Sequence, residues 1–286
     1  MNDDDVKGEL YVIATPIGNL GDISKRALAT LEMTDCIVAE DTRVTTKLLR
    51  LQQIAHKEIY PQRGSSAIDA SVVAGWLQQG KSVSLVSDAG TPNVSDPGRT
   101  MVKAALSVGV IPRVIPGPSA VTAILSLCDF RSDIFYFGGF LPSKRSQRIS
   151  VLVELARRRE TVVLFEAPHR IEGTLLDLEE TFPHDRRVLV GRELTKMHEQ
   201  CFYETIGTVA QAVASSPRKG EFVIAIQGAS EVEERDGSVT HVALTEELLR
   251  QGLGVKSVVE VLVKVYGVSK AQYYEICLQI QKAFEL

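Results

Sequence analysis

Apolar strand patterns and amphipathic helical patterns alternate regularly from Leu10 to Ile115, and this alternation restricts the possible folds more than any other feature. Short runs rich in β-branched residues, such as Leu10–Ala14, Cys36–Ala39 and Ser82–Val86, are separated by helical patterns. A strand–helix–strand repeat predicts an α/β fold with a parallel sheet and helices on both faces. The chain has 286 residues and is 44% hydrophobic, which suits two domains with sizeable cores.

The same periodicities predict the remaining elements. Further helices are expected over residues 44–51, 65–79, 101–108, 120–127 and 143–159. Further strands are expected at residues 111–115, 134–137, 161–165, 187–191, 201–206 and 222–226. The helix over 120–127 is expected to lead into a second α/β domain, whose last two strands form an antiparallel pair.

Four segments are expected along the chain. They are an N-terminal α/β domain (1–118), a C-terminal α/β domain (119–229), an acidic linker without apolar periodicity (230–242) and a helical extension (243–286). In the extension, two amphipathic helical patterns flank Tyr266–Ser269. This pattern is as typical of a nucleic-acid-binding helix-turn-helix as of a plain helical cap.

The formal net charge of −4 is unevenly distributed. The segments Asp3–Asp5 and Glu231–Glu247 together carry more negative charge than the chain as a whole. The remainder of the chain is therefore mildly basic, which allows a basic face. The four cysteines are widely spaced, which favours reduced thiols and a cytoplasmic protein. No apolar run is long enough to span a membrane, and Met1–Asp5 does not resemble a basic signal peptide.

Three loops of small residues follow three predicted strands. They are Thr15–Gly21, Ser87–Gly98 and Pro116–Ala120. In open α/β sheets, ligands bind beyond the carboxyl ends of the strands, and Ala89-Gly90 would allow a ligand to approach the backbone. Asp88 and Asp96 place carboxylates beside that opening. The alternative interpretation is that these loops are ordinary turns. The presence of three such loops at one sheet edge argues against that interpretation.

Polar clusters follow three other apolar strands, at Glu40–Arg43, Glu166–Arg170 and Arg192–Lys196. Each alone is typical of a helix cap with a surface ion pair, but together they indicate a cleft that holds phosphates. The residues predicted to contact RNA there are Arg43, Lys144, Arg145, Arg148, His169, Arg170 and Arg192.

Several common sites are not indicated by the sequence. It contains no P-loop motif and no strand–GxGxxG–helix unit, so an ordinary nucleotide or dinucleotide fingerprint is missing. The five histidines show no paired metal-ligand spacing, and no metal is expected.

Seven segments in order along the chain resemble the ribosomal RNA small-subunit methyltransferases of the tetrapyrrole-methylase superfamily. The resemblance runs from about Leu10 to Gly228, and the helical tail also resembles the extension of these enzymes. The segments are Tyr11–Leu20, Ala39–Arg43, Ser87–Pro92, Pro116–Ala120, Gly139–Pro142, Pro168–Arg170 and Arg192–Lys196. The resemblance implies two α/β domains with S-adenosylmethionine in the cleft between them, and a homodimer. It also implies 2′-O-methylation of a cytidine in the decoding region of 16S rRNA.

The resemblance also implies the cofactor contacts. The superfamily's Gly-Asp-Pro-type loop corresponds to Ser87–Gly90, where Ala89 replaces proline and backbone contacts are expected. The residues implied to bind S-adenosylmethionine are Pro16, Ser87, Asp88, Ala89, Gly90, Ser119, Ala120, Phe165, Glu166 and Ala167.

Methylation of a ribose hydroxyl requires alignment with the methyl donor and removal of a proton. Asp41, Glu193 and Lys196 are the catalytic candidates, as a base or as a charge-stabilising group. Two alternatives remain open at this point. The shared cofactor loops also suit a methylase of a small, tetrapyrrole-like substrate, and the basic cleft and helical tail also suit a non-enzymatic RNA-binding protein.

Overall fold

Two five-stranded sheets make up the larger of the two units into which the chain divides, Met1–Gly228 and Ala229–Leu286. The computed structural model describes residues 7–55, 57–217, 219–230, 244–266 and 270–284. The acidic residues Asp3–Asp5, the linker from residue 231 onwards and the turn residues 267–269 lie outside the described residues. Because both sheets belong to one unit, the division into domains at residues 118 and 119 stays a prediction.

The first sheet is entirely parallel, as predicted, with the strand order β3-β2-β4-β1-β5. The central strands are buried runs of β-branched and apolar residues, which is typical of a sheet covered on both faces. Its strands are Leu10–Ile13 (β1), Cys36–Ala39 (β2), Glu58–Pro61 (β3), Val83–Val86 (β4) and Arg113–Ile115 (β5).

Helices cover both faces of this sheet, which confirms the prediction. On one face, Ala27, Leu31 and Leu49 pack against the sheet, and on the other face Leu77 and Met101 do so. The helices of the first face are Lys25–Met33 (α1) and Thr42–Leu51 (α2), and those of the second are Ala70–Gln78 (α3) and Arg99–Ser107 (α4).

The structure differs from the sequence prediction around β3. Strand Glu58–Pro61 was not predicted, because this edge strand is only partly buried and lacks a continuous apolar run. Helix α3 begins at Ala70 rather than at residue 65, since the Asp69 side chain accepts a hydrogen bond from the Ser71 N–H and caps the helix there.

The second sheet is mixed, with the order β6-β7-β10-β8-β9, and only β6 and β7 are parallel. The predicted pairing of residues 201–206 with 222–226 is wrong, because β8 lies between these strands. Every residue of β10 is buried, so β10 needs a neighbour on each side, whereas the half-exposed β9 forms an edge. The strands are Phe135–Phe140 (β6), Thr161–Glu166 (β7), Arg187–Arg192 (β8), Gln200–Thr205 (β9) and Phe222–Ile226 (β10).

Helix Ala120–Leu125 (α5) packs through Val121 and Ile124 against the second sheet. Leu152, Leu175 and Val209 pack from the three helices on the opposite face. These helices are Arg145–Ala156 (α6), Ile171–Thr181 (α7) and Ile206–Ala214 (α8). Helix α6 is shorter than the predicted 143–159.

The second unit is helical, as predicted, with helices at Val255–Tyr266 and Lys270–Phe284. Val258, Leu262 and Cys277 form its small core. In the described part of the chain, no helix has both the length and the apolar character required to cross a membrane.

Candidate active site

A cavity of about 360 Å³ opens between the carboxyl edge of the first sheet and the second sheet. The loops after β1, β4 and β5 form one side, because parallel strands bring their carboxyl ends to one edge. The ends of β6, β7 and β8 and the start of β10 form the other. A cavity in this size range accommodates a cofactor. Its apolar lining includes Ile17, Val94, Phe140, Phe165, Leu194, Phe222 and Val223.

Gly90 joins the loop after β4 to the loop after β1. Its φ of +76° lies in the left-handed region, which glycine adopts without a Cβ clash. The Gly90 N–H donates to the Thr15 carbonyl at 3.1 Å, and the Thr15 N–H donates to the Gly90 carbonyl at 2.9 Å. A Cβ on Gly90 would lie 3.4 Å from Ile17 Cγ2, so a longer side chain would occupy space at the cavity wall.

A buried ion pair supports the second-sheet side of the cavity. The Glu166 side chain is inaccessible to solvent and accepts hydrogen bonds from the Thr174 hydroxyl at 2.6 Å and from Arg170 Nη2 at 3.1 Å. Arg170 Nη2 also donates to the Leu141 carbonyl at 2.7 Å. A carboxylate removed from water needs such partners. Glu166 therefore borders the cavity without offering it a free charge.

The loop after β8 is held in a strained conformation. Glu193 and Thr195 have φ values of +53° and +68°, a region that costs a residue other than glycine about 1–3 kcal/mol. The Glu193 carboxylate accepts hydrogen bonds from the Glu221 N–H at 2.9 Å and from Lys196 Nζ at 2.7 Å. These bonds fix the loop with Leu194 against the cavity.

Lys196 crosses from this loop to the loop after β1, where its side chain leaves no room for a Cβ at Gly18. Its Nζ donates to Glu193 at 2.7 Å and to Glu221 at 3.0 Å. Burial acts to lower the pKa of Lys196, but the hydrogen bonds with the two carboxylates outweigh it, and the pKa is raised. Lys196 is therefore a fixed cation at neutral pH and not a base.

Asp96 brings a half-buried carboxylate to the cavity. Burial, followed by the negative charge of Glu40, raises the pKa of Asp96 to about 6, although a hydrogen bond from Ser87 acts in the opposite direction. The other lining carboxylates in the described residues bond to cations, Glu166 to Arg170 and Glu221 to Lys196. Asp96 is therefore the lining carboxylate best suited to exchange a proton near neutral pH.

Asp41 lies outside the cavity and caps α2. Its carboxylate accepts a hydrogen bond from the Arg43 N–H at 2.9 Å and pairs with the Arg43 guanidinium. The side-chain hydrogen bond from Arg43, aided by the backbone bond, lowers the pKa of Asp41 to about 2. A carboxylate with so low a pKa is a weak base.

A second space of about 550 Å³, here called the groove, lies between the loop after β1 and helix α2. Ile17, Ala89 and Glu221 line both the groove and the cavity, so the two spaces adjoin. Lys196 also lines the groove.

The structure brings most of the predicted cofactor residues together. Lining the cavity are Ala89, Gly90, Ser119, Ala120, Phe165, Glu166 and Ala167. Pro16, Ser87 and Asp88 line the adjoining groove instead. Pro16 belongs to the loop after β1. Ser87 and Asp88 lie directly after β4 and precede Ala89, which lines the cavity.

Four of the predicted RNA-contact residues are exposed, namely Arg43, Lys144, Arg145 and His169. Arg43 pairs with Asp41, while Arg145 pairs with Asp177 and Glu180. Arg170 is mostly buried against Glu166.

Arg148 and Arg192 are buried, and their guanidinium groups donate hydrogen bonds to other protein groups. Arg148 Nε donates to Asp177 at 2.6 Å. Arg192 donates to the Lys219 carbonyl and to Gln200 Oε1, each at 2.9 Å. In this conformation neither guanidinium group is available to RNA.

The sequence prediction assigned no role to Asp96 or to the apolar lining residues Phe140 and Phe222. A signal for Asp96 was present, since it is the second carboxylate of the loop after β4. Phe222 gave no signal, because it resembles any other residue of a buried strand. Within the described ranges, no group of three His, Cys, Asp or Glu side chains could hold a metal ion.

Comparisons with known proteins agree with this geometry. The family model "Tetrapyrrole (Corrin/Porphyrin) Methylases" matches residues 9–210. The chain is 39% identical to ribosomal RNA small subunit methyltransferase I of Neisseria meningitidis, covering 97% of this chain and 95% of the relative. It is 40% identical to the protein of the same name from a Synechocystis strain, covering 96% and 99%.

Solved structures share the fold. A uroporphyrin-III C-methyltransferase from Thermus thermophilus, complexed with S-adenosylhomocysteine, superposes with a TM-score of 0.51 at 16% identity, covering 76% of this chain and 97% of that one. The cobalamin biosynthetic enzyme cobalt precorrin-4 methyltransferase superposes with a TM-score of 0.52 at 18% identity, covering 76% and 94%. The family match and the near-full-length relatives together show that the chain belongs to the tetrapyrrole methylase family and, within it, to the ribosomal RNA small subunit methyltransferase I group.

Proposed function

We propose that the protein transfers a methyl group from S-adenosylmethionine to the 2′-hydroxyl of a cytidine ribose in the decoding region of 16S rRNA. The observation that carries this proposal is the cavity, which is built by the loops that resemble those of the rRNA methyltransferases. The names of relatives at 39% and 40% identity favour the ribosomal substrate over a tetrapyrrole-like small molecule.

The cavity suits the methyl donor. It combines apolar and aromatic walls with open backbone at Ala89, Gly90 and Ser119, which matches a molecule that has a flat base and several polar groups. Gly90 and Ala89 keep side-chain bulk away from it. We assign the binding of the donor to these residues together with Ala120, Phe165, Glu166 and Ala167. Pro16, Ser87 and Asp88 support the loops from the groove side.

Proton removal falls to Asp96 in this proposal. When bound, S-adenosylmethionine supplies an electrophilic methyl carbon, so the protein must align the hydroxyl and accept its proton. Asp96 lines the cavity with a pKa of about 6, close to the range in which a general base is effective.

The three sequence candidates take supporting roles. Lys196, a fixed cation that lines the groove and is bonded to Glu221, stabilises negative charge on the ribose oxygen or a neighbouring phosphate. Glu193 orients Lys196 through its 2.7 Å hydrogen bond. Asp41 orients Arg43, which with Lys144, Arg145 and His169 contributes exposed basic or polar contacts for RNA.

A homodimer in the cytoplasm completes the proposal. Two exposed apolar side chains, Val114 in the edge strand β5 and Ile111 just before it, provide a surface for a second copy. Sedimentation equilibrium tests this directly, and a species with the mass of one chain at micromolar concentration would contradict it.

The experiment for the proposed function is primer extension at low nucleotide concentration on 16S rRNA from a strain lacking the gene. A 2′-O-methyl group stops the polymerase, so the stop in the decoding region is expected to vanish and to return with a plasmid copy. Persistence of the stop without the gene would eliminate the rRNA assignment, and a tetrapyrrole-like substrate would then be the next to assay.

A further inference from the structure

Helix α2 carries a strongly basic surface at the end of the groove. Its ten residues, Thr42–Leu51, include Arg43, Lys47 and Arg50 and no acidic residue. All three cations are exposed. Spacings of four and three residues place them on neighbouring turns, about 6 Å and about 4.5 Å apart along the helix axis.

Two of these charges are available to a partner. Arg43 is paired with Asp41, whereas Lys47 and Arg50 form no ion pair with any of the described residues. Arg50 also lies in the last turn of α2, where a cation is stabilised by the helix dipole without needing a carboxylate. An exposed unpaired cation can bind a phosphate without first breaking an ion pair, and the release of counterions from the nucleic acid favours that contact.

The basic surface is continuous with the candidate active site. Arg43, Lys47 and Arg50 line a shallow depression on α2, and Lys47 also lines the groove. The groove in turn shares Ile17 and Ala89 with the cavity. A strand lying along α2 would therefore be led through the groove to Asp96 and Lys196.

The groove has the lining that a nucleotide needs. Its floor is apolar, with Leu20, Val44, Leu48 and Leu51, three of which are exposed. Apolar floor suits the face of a base, and Lys47 and Lys196 at the sides suit phosphate oxygens. The carboxylates that line the groove are bonded within the protein: Asp88 accepts from the Asp41 N–H, and Glu221 from Lys196.

We propose that helix α2 and the groove are the docking surface for the RNA strand next to the target nucleotide, with Lys47 and Arg50 binding its phosphates. This inference rests on the proposed function and adds residues that the sequence prediction did not name. Charge decides the occupant, because a helix with three cations and no acid matches a polyanion better than a neutral protein surface.

The test compares two double variants of the full chain. Lys47→Ala/Arg50→Ala removes the proposed contacts. Arg99→Ala/Lys103→Ala removes two exposed cations from α4, on the opposite face of the first sheet, and serves as the matched control. Binding is measured over a salt series with two probes, protein-free 16S rRNA and small ribosomal subunits from the deletion strain. Calorimetry with S-adenosylmethionine is run in parallel.

For Lys47→Ala/Arg50→Ala we expect about tenfold weaker binding to both probes and a salt dependence reduced by about 1–2 in log–log slope. KM for the subunit rises, while the affinity for S-adenosylmethionine and the behaviour of the control variant stay as in wild type. The charge-preserving variant Lys47→Arg/Arg50→Lys should restore binding.

Wild-type affinity and salt slope in Lys47→Ala/Arg50→Ala would overturn the inference. Weaker binding to subunits with unchanged binding to protein-free rRNA would also overturn it, because α2 would then dock on a ribosomal protein. If the wild-type protein itself neither binds nor methylates either probe, the proposed function fails, which is a separate and recognisable result.

Discussion

Single residues decide how the cavity is shaped. Gly90→Val is expected to abolish binding of S-adenosylmethionine while the fold remains. The valine backbone would have to adopt φ near +76°, and its side chain would lie beside Ile17 and Pro118. Calorimetry measures the binding, and circular dichroism monitors the fold.

Gly64→Val is the control for backbone strain alone. Gly64 also has a positive φ, of +89°, but no atom lies within 4 Å of a Cβ built there. If Gly90→Val kept wild-type affinity, or if Gly64→Val lost as much, the cofactor would not lie against Gly90.

Asp96 gives the activity a predictable pH dependence. Its raised pKa of about 6 means that the carboxylate is mostly protonated at pH 5 and mostly ionised at pH 7. The single-turnover rate is therefore expected to rise with pH through about 6 and to level off above 7. Asp96→Asn should lower the rate at pH 7.5 by about 100-fold or more and remove the rise.

The stability contribution of Asp96 changes with pH in the opposite direction to the rate. Because the folded pKa of Asp96 exceeds the ordinary value, the native state binds the proton more tightly, and the contribution of Asp96 to stability falls as pH rises from about 4 to about 6.

For the predicted pH dependence of activity, an Asp96→Asn rate profile that still rose through pH 6 would assign the titration to another group.

At the scale of elements, the Glu166–Arg170 pair connects β7, α7 and the chain after β6. Arg170→Ala leaves a buried carboxylate without its cation, and the free energy of unfolding is expected to fall by about 3–5 kcal/mol. Urea denaturation measures this loss. Adding Glu166→Gln to Arg170→Ala should restore part of it, since the uncompensated charge is then removed; no recovery would mean that the Leu141 contact dominates.

The strained loop after β8 is an element held by Lys196. Lys196→Met keeps an unbranched apolar chain against Gly18 but removes the charge. We expect slower turnover at saturating RNA, with the affinity for S-adenosylmethionine preserved, because in the proposed mechanism the cation stabilises charge at the ribose and does not contact the donor. Loosened donor binding with normal turnover would reverse this assignment.

For the whole molecule, the sequence predicts which loops meet more reliably than which side chains they expose. The loops at Ala89-Gly90 and Ser119-Ala120 converge because parallel strands end at one edge, and strand periodicity is local information. Whether a charged side chain is buried depends on partners far along the chain. Asp177 withdraws Arg148 from solvent, and the Lys219 carbonyl withdraws Arg192, which no local pattern indicates.

Strand order is set at the same long range. Residues 200–205 and 222–226 both have strand-forming patterns, but only Phe222–Ile226 is apolar at every position, and it lies at the centre of the sheet between β7 and β8. An apolar residue at every position is the sequence signal for this central place in the sheet.

The most direct measurement of the central claim uses purified protein, isotopically labelled S-adenosylmethionine and small ribosomal subunits from the deletion strain. The product rRNA is digested to nucleosides and to decoding-region fragments, and both are analysed by mass spectrometry. The account predicts label in 2′-O-methylcytidine from a decoding-region fragment, appearing about 100-fold or more slowly with Asp96→Asn. Label on a base, on another nucleoside or outside that region would contradict it.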